Sequence, residues 1–133
     1  MKHIFLAEDD FGIQDIITLV LQRLGYTVTV YMYGKQLIAN MTQIPDLYLL
    51  DNQLPDMNGT DICRFLKQQD SSKSIPVIMV SANPNIASLA TQAGADDYLE
   101  KPFTIKDLKL KVEFFCPQGT DNGGPATDLR KVS

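Results

Sequence analysis

Leu47-Tyr48-Leu49-Leu50 runs without a break into Asp51-Asn52-Gln53-Leu54-Pro55-Asp56-Met57-Asn58-Gly59. A short apolar run with Pro45 just before it and a polar, proline-bearing stretch after it reads as a strand buried on both faces, the kind found in parallel sheets. Asn58-Gly59 then opens a helical segment in which Ile62, Phe65 and Leu66 recur at helical spacing and make one apolar stripe. Strand, connection and amphipathic helix together form one βα unit. An acidic residue, Asp51, stands where the strand stops.

The unit repeats in both directions. Upstream, His3-Ile4-Phe5-Leu6-Ala7 reads as a strand, followed by Ile13, Ile16, Ile17, Val20, Leu21 and Leu24 on one helical face and by Gly25 as a stop. Thr27-Val28-Thr29-Val30-Tyr31 is a β-branched strand, and a shorter helix over 35–42 turns Leu37, Ile38 and Met41 inward. Downstream, Pro76 introduces the strand Val77-Ile78-Met79-Val80. Pro84 suits the first turn of a helix carrying Ile86, Leu89, Ala90 and Ala93, which Gly94 ends. Tyr98-Leu99 is a last short strand. Thr104-Ile105-Lys106-Asp107 is a capping box for a helix with Ile105, Leu108, Val112 and Phe115. Five strands and five helices in strict alternation predict an α/β domain, a parallel sheet with helices on both faces. From Pro117 the texture changes to Gly119, Gly123, Gly124 and Pro125 with no periodic apolar face, so the folded domain is expected over 1–116 and a flexible tail, appended or the start of a linker, over 117–133.

Composition narrows the function. The chain has 133 residues, enough for one domain with a solid core, with 44% hydrophobic and 21% charged residues. Its 16 acidic and 12 basic residues give a net charge of −4, which weighs against nucleic-acid backbones and anionic membrane surfaces as partners. Asp121, Asp128, Arg130 and Lys131 cancel within the tail, so the −4 belongs to the folded part. Cys63 and Cys116 lack metal-ligand spacing and read as reduced thiols. No apolar run approaches the roughly 20 residues of a membrane helix, and the N-terminal apolar run is too short for a signal peptide. The chain reads as soluble and cytoplasmic.

In an open parallel sheet, sites form outside the carboxyl ends of the strands. Glu8, Asp9 and Asp10 follow the first strand, Asp51 the third, Ser81 and Ala82 the fourth, and Lys101, Pro102 and Phe103 the fifth. Taken singly each has a plain explanation: Asp10 as a helix cap, Ser81 as a turn former, Lys101 as surface charge. Together they describe a pocket with its own chemistry. Clustered carboxylates repel one another, and a hard divalent cation such as Mg²⁺ relieves the repulsion. A remaining oxygen of Asp51 can attack phosphorus, with the cation, the Lys101 ammonium and the Ser81 hydroxyl left to stabilise the phosphoryl oxygens. Gly12 stands alone, so no dinucleotide fingerprint is present. Asn58-Gly59-Thr60 is read as a helix cap rather than a glycosylation acceptor, and His3 is given no role.

Phe5-Leu6-Ala7-Glu8-Asp9-Asp10, Asp51 to Gly59, Val80-Ser81-Ala82 and Gly94-Ala95-Asp96-Asp97-Tyr98-Leu99-Glu100-Lys101-Pro102-Phe103 resemble the motifs of the response-regulator receiver domain of two-component signalling, over about residues 2–115. The resemblance implies a doubly wound, flavodoxin-like (βα)5 three-layer sandwich. It implies Asp51 as phosphoacceptor, and Glu8, Asp9, Asp51 and the Gln53 backbone carbonyl as ligands of Mg²⁺ or Mn²⁺. Lys101 matches the phosphate-binding lysine, with a cis Lys101–Pro102 bond. Ser81 and Tyr98 match the switch pair, with Ala82 leaving room for their movement, and Gln53 and Asn83 occupy positions that tune dephosphorylation. Asn52-Gln53 is more polar than the pair common in the family.

The function so implied is a phosphorylation switch rather than an enzyme with a separate substrate. A sensor histidine kinase or histidine phosphotransfer protein donates to Asp51, and the face of the fourth helix, fifth strand and fifth helix changes shape for a downstream protein. Phosphorylation-dependent homodimerisation fits the same face; direct contact with nucleic acid or membrane is not expected. Two other readings stand beside it. An aspartyl-phosphate phosphatase of the haloacid-dehalogenase type needs an acid two residues past the nucleophile, where Gln53 stands. A module that no longer takes phosphate is opposed by the complete set Glu8, Asp9, Asp51, Ser81 and Lys101.

Overall fold

The computed structural model describes residues 2–118. The elements are β1 (His3–Ala7), α1 (Phe11–Arg23), β2 (Thr27–Tyr31), α2 (Gly34–Ala39), β3 (Leu47–Asp51), α3 (Gly59–Gln68), β4 (Val77–Ser81), α4 (Ile86–Ala93), β5 (Asp97–Glu100) and α5 (Ile105–Phe115). The strands form one parallel sheet in the order β2-β1-β3-β4-β5. The order reverses beside β1, so a crevice opens at the carboxyl ends of β1 and β3.

Successive strand residues point to opposite faces, which is why the central strands must be apolar throughout. Phe5, Ala7, Tyr48, Leu50, Val77 and Met79 pack with Leu37, Ile62, Leu66, Ile86 and Ala90 from α2, α3 and α4. Ile4, Leu6, Leu47, Leu49, Ile78 and Val80 pack with Ile17, Leu21, Leu108 and Val112 from α1 and α5. β2, at the sheet edge, is only half-buried. Gly25 and Gly94 take positive φ at the ends of α1 and α4, as read from the sequence.

Several local expectations shift. α2 is shorter than 35–42, and Met41 packs against the core from beyond its end. α4 begins at Ile86 with Asn85 as its N-cap, so Pro84 lies ahead of the helix rather than in its first turn. Ile16 points outward, 53% exposed, because Ile13, Ile17, Val20, Leu21 and Leu24 already fill the stripe over the sheet. Asp10 and Thr104 do cap α1 and α5, accepting from the Ile13 and Asp107 N–H groups at 2.9 and 3.0 Å. Asn58 holds the N-cap position of α3 without a side-chain bond. The buried Asn52 serves that helix instead, its Oδ1 accepting from the Thr60 N–H at 3.2 Å. His3 bonds Thr29 Oγ1 at 2.6 Å and meets the edge of Phe5, a structural use for a residue to which the sequence assigned none. The expected tail lies outside the described residues from 119 onward. Gln118, just before that point, donates to the Leu24 carbonyl at 3.1 Å. Among the described residues no helix is long and apolar enough to cross a membrane.

Candidate cation and phosphoryl site

The crevice holds a cavity of about 530 Å³ lined by Glu8, Asp9, Asp10, Phe11, Ile13, Asp51, Gln53, Ala82 and Lys101. β1 delivers Glu8 and Asp9 one and two residues past its last residue, and β3 delivers Asp51 as its last residue. Their parallel pairing brings the two acidic ends side by side. Oxygens of Glu8, Asp9 and Asp51 all lie within 4.8 Å of one another. Glu8 and Asp51 are 1% and 5% exposed, so this charge is not simply solvated.

Lys101 crosses from the end of β5 to meet them. Its Nζ lies 3.0 Å from Glu8 Oε1 and 3.5 Å from Asp51 Oδ2, and its backbone N–H donates to the Ser81 carbonyl at 2.8 Å. The Lys101–Pro102 bond is cis, as the resemblance implies. Burial pushes the Glu8 carboxyl up from the usual 4.5 to about 7; the Lys101 hydrogen bond opposes this and the negative charge of Asp51 adds to it. Burial alone would lower the Lys101 ammonium, but its bond to Glu8 and the charge of Asp51 outweigh that and raise it. An all-oxygen donor set, crowded and partly desolvated, fits a hard divalent cation.

The remaining predicted residues stand around this centre. Gln53 is exposed, and its N–H donates to Asp51 Oδ1 at 3.3 Å. Ser81 is buried beside the cavity without lining it, its Oγ accepting from the Asn83 N–H at 3.0 Å. Asn83 accepts from the Asn85 N–H at 2.8 Å, closing the turn into α4. Tyr98 is half-buried against the α2–α4 side of the core, with Lys111 Nζ 5.3 Å from its ring centroid. Lys111 also bonds both oxygens of Asp97 at 2.9 Å, joining α5 to β5. The acidic triad, Gln53 and Lys101 thus share one cavity; Ser81, Asn83 and Tyr98 lie along β4, the loop after it and β5.

Other contributors carry no signal in the sequence. Gln14 of α1 is buried and donates to the Glu8 carbonyl at 2.5 Å, steadying the acidic turn. A Cβ on Gly59 would lie 2.5 Å from the Asp51 carbonyl oxygen, so only glycine lets α3 start this close to β3. An apolar groove of about 470 Å³, lined by Ile13, Ile16, Ala82, Lys101, Pro102, Phe103 and Ile105, adjoins the acidic cavity.

Residues 4–113 match the family described as the response regulator receiver domain. The chain is 35% identical over 114 residues to the DNA-binding response regulator MtrA of Mycobacterium tuberculosis, covering 84% of this chain and 49% of that protein. It therefore spans about half the length of the curated relatives it matches. Among solved structures it is similar to the receiver domain of the sensor histidine kinase PA1611 from Pseudomonas aeruginosa, which has a magnesium ion coordinated in its active-site cleft. That likeness has 32% identity and a TM-score of 0.78, over 86% of this chain and 96% of that one. It is also similar to a putative response regulator from Chloroflexus aurantiacus, at 26% identity and TM-score 0.83 over 88% and 98%. The chain belongs to the response-regulator receiver domain family, the phosphorylation-dependent switches of two-component signalling.

Proposed function

We propose that Asp51 is the phosphoacceptor of this domain and that Glu8, Asp9, Asp51 and the Gln53 carbonyl hold a Mg²⁺ or Mn²⁺ ion. The observation that carries this is the convergence of the Glu8, Asp9 and Asp51 oxygens within 4.8 Å, with a lysine ammonium on two of them. An Asp51 oxygen forms a bond to the phosphorus of a donor phosphohistidine. The nitrogen–phosphorus bond breaks, and its electron pair returns to the imidazole. When bound, the cation neutralises charge on the phosphoryl oxygens. Lys101 then exchanges part of its contact with Glu8 and Asp51 for the new phosphoryl group. Ser81 gives up the Asn83 N–H and turns its hydroxyl to that group; Tyr98 follows, and the α4–β5–α5 face is remade for a downstream protein. Gln53 and Asn83 set access for the water that removes the phosphoryl group.

The donor is a sensor histidine kinase or a histidine phosphotransfer protein. The apolar groove shares Ile13, Ala82 and Lys101 with the acidic cavity, so a donor seated there brings its phosphohistidine to Asp51. The domain occupies 1–116, and 117–133 is a tail or the start of a linker. Incubation with acetyl phosphate and Mg²⁺, followed by intact-mass measurement, tests the phosphoacceptor. One phosphoryl group is expected on the parent and none on Asp51→Asn; equal labelling of the two would remove Asp51 from this role.

A further inference from the structure

We propose that Asp56 is a positioning residue for the phosphoacceptor: it clamps the first turn of α2 and so holds the 53–58 turn, whose Gln53 N–H fixes the Asp51 carboxylate. The proposal rests on the reading of Asp51 as phosphoacceptor. α2 has six residues, and its N-cap, Tyr33, is extended and offers no side-chain bond. Helix N–H groups left without partners need them from elsewhere. They come from the loop after β3: Asp56 Oδ1 accepts from the Gly34 N–H at 2.8 Å and Oδ2 from the Lys35 N–H at 3.0 Å. Burial by itself would raise the Asp56 carboxyl; the Lys35 and Gly34 N–H groups outweigh it and hold the carboxyl below its usual value. The two segments are also packed together. A Cβ on Gly34 would lie 2.5 Å from Met57 Cγ and 2.7 Å from Ile62 Cδ1, so the turn rests directly on the α2 backbone.

From Asp56 a continuous set of bonds reaches Asp51. The Leu54 N–H donates to the Met57 carbonyl at 3.3 Å. That bond is one of the two that make the antiparallel bridge between Gln53 and Asn58. The Gln53 N–H then donates to Asp51 Oδ1 at 3.3 Å. On the other side, the Gly59 N–H bonds the Asn52 carbonyl at 2.8 Å, so the turn is anchored at its root and at its tip. With the tip released, the Gln53 amide loses its fixed place, and the carboxylate that must face phosphorus is held less firmly, left to the Lys101 contact at 3.5 Å. Reacting groups held slightly out of place lose large factors in rate.

The test compares the parent, Asp56→Ala and Asp56→Asn in acetyl phosphate with saturating Mg²⁺, well below each variant's unfolding midpoint. Asp56→Asn keeps one acceptor and most of the shape, so it carries the test should Asp56→Ala fold poorly. The expected result is a phosphorylation rate lowered roughly 10-fold in Asp56→Ala, the scale of loss when an outer partner of a site is removed. A smaller loss is expected in Asp56→Asn, with a displaced Gln53 amide resonance in both. Parent-like rates and an unmoved Gln53 resonance beside a lowered midpoint would make Asp56 a structural cap alone and overturn the proposal. Undiminished labelling of Asp51→Asn would overturn the phosphoacceptor reading, and this inference with it, on a different variant.

Discussion

Glu8 is the residue whose environment conflicts most with its charge. It is 1% exposed, beside Asp51, with the Lys101 ammonium 3.0 Å away. Its folded pKa is raised from 4.5 to about 7, so between those values the folded chain binds a proton that the unfolded chain has released. Stability in metal-free buffer therefore falls as pH rises from about 4.5 to about 7 through this group, and levels off above. Glu8→Gln should flatten that limb in chemical-denaturation curves taken across the range; an unchanged slope would mean another group carries it. Lys101→Met has the opposite sign at neutral pH. It leaves two buried carboxylates without their ammonium, at a cost of about 3 kcal/mol, and added Mg²⁺ should recover part of it. Thermal midpoints with and without Mg²⁺ read both effects. Glu8 and Asp51 were legible because each directly follows an apolar run, where a parallel sheet must put its site, and Lys101 because it stands just past the last short strand and Glu100. Gln14 and Asp56 were not: each acts on a backbone group several residues or a whole element away, and spacing along the chain carries no trace of that.

At the scale of elements, legibility followed burial. β3 and β4 bury every residue, and their apolar runs mark them plainly. α1 offered one apolar residue too many; Ile16 fits the helical repeat yet faces outward, since periodicity gives a stripe but not its width. α2 was the vaguest because part of what stabilises it comes from the loop after β3 rather than from its own sequence. α5 is the reverse case. Thr104 caps it locally, and Thr104→Ala should cost about 1 kcal/mol, read as a lowered unfolding midpoint. The variant leaves the acidic cavity alone, so phosphorylation by acetyl phosphate should proceed at the parent rate. α5 is also tied to β5 through the bonds of Lys111 to Asp97 and its approach to the Tyr98 ring. In the proposed switch these contacts carry a shift of Tyr98 to the helix surface.

Across the whole molecule, the sheet separates two cores and gathers the acidic cluster at one end, between the carboxyl ends of the central strands β1 and β3. The acidic balance now has a location: the Glu8, Asp9 and Asp51 carboxylates converge with the Lys101 ammonium in a single cavity, the place proposed for the cation and the phosphoryl group. The proposed seating of the donor in the apolar groove beside it separates a protein donor from a small one. Ile16→Asp should slow phosphoryl transfer from a protein donor while leaving acetyl phosphate unaffected, because Ile16 is exposed in the groove and does not line the acidic cavity. Equal slowing with both donors would place the defect in the site itself.

In the proposed switch, a charge event at Asp51 is read on the α4–β5–α5 face. Backbone amide spectra of the ¹⁵N-labelled chain with Mg²⁺, before and after beryllofluoride, test it most directly. Shifts are expected to run from Asp51 and Gln53 through Ser81 and Asn83 to Tyr98 and the residues of α4 and α5, with none of them in Asp51→Asn. Shifts confined to the acidic cavity, or the same shifts in Asp51→Asn, would contradict it.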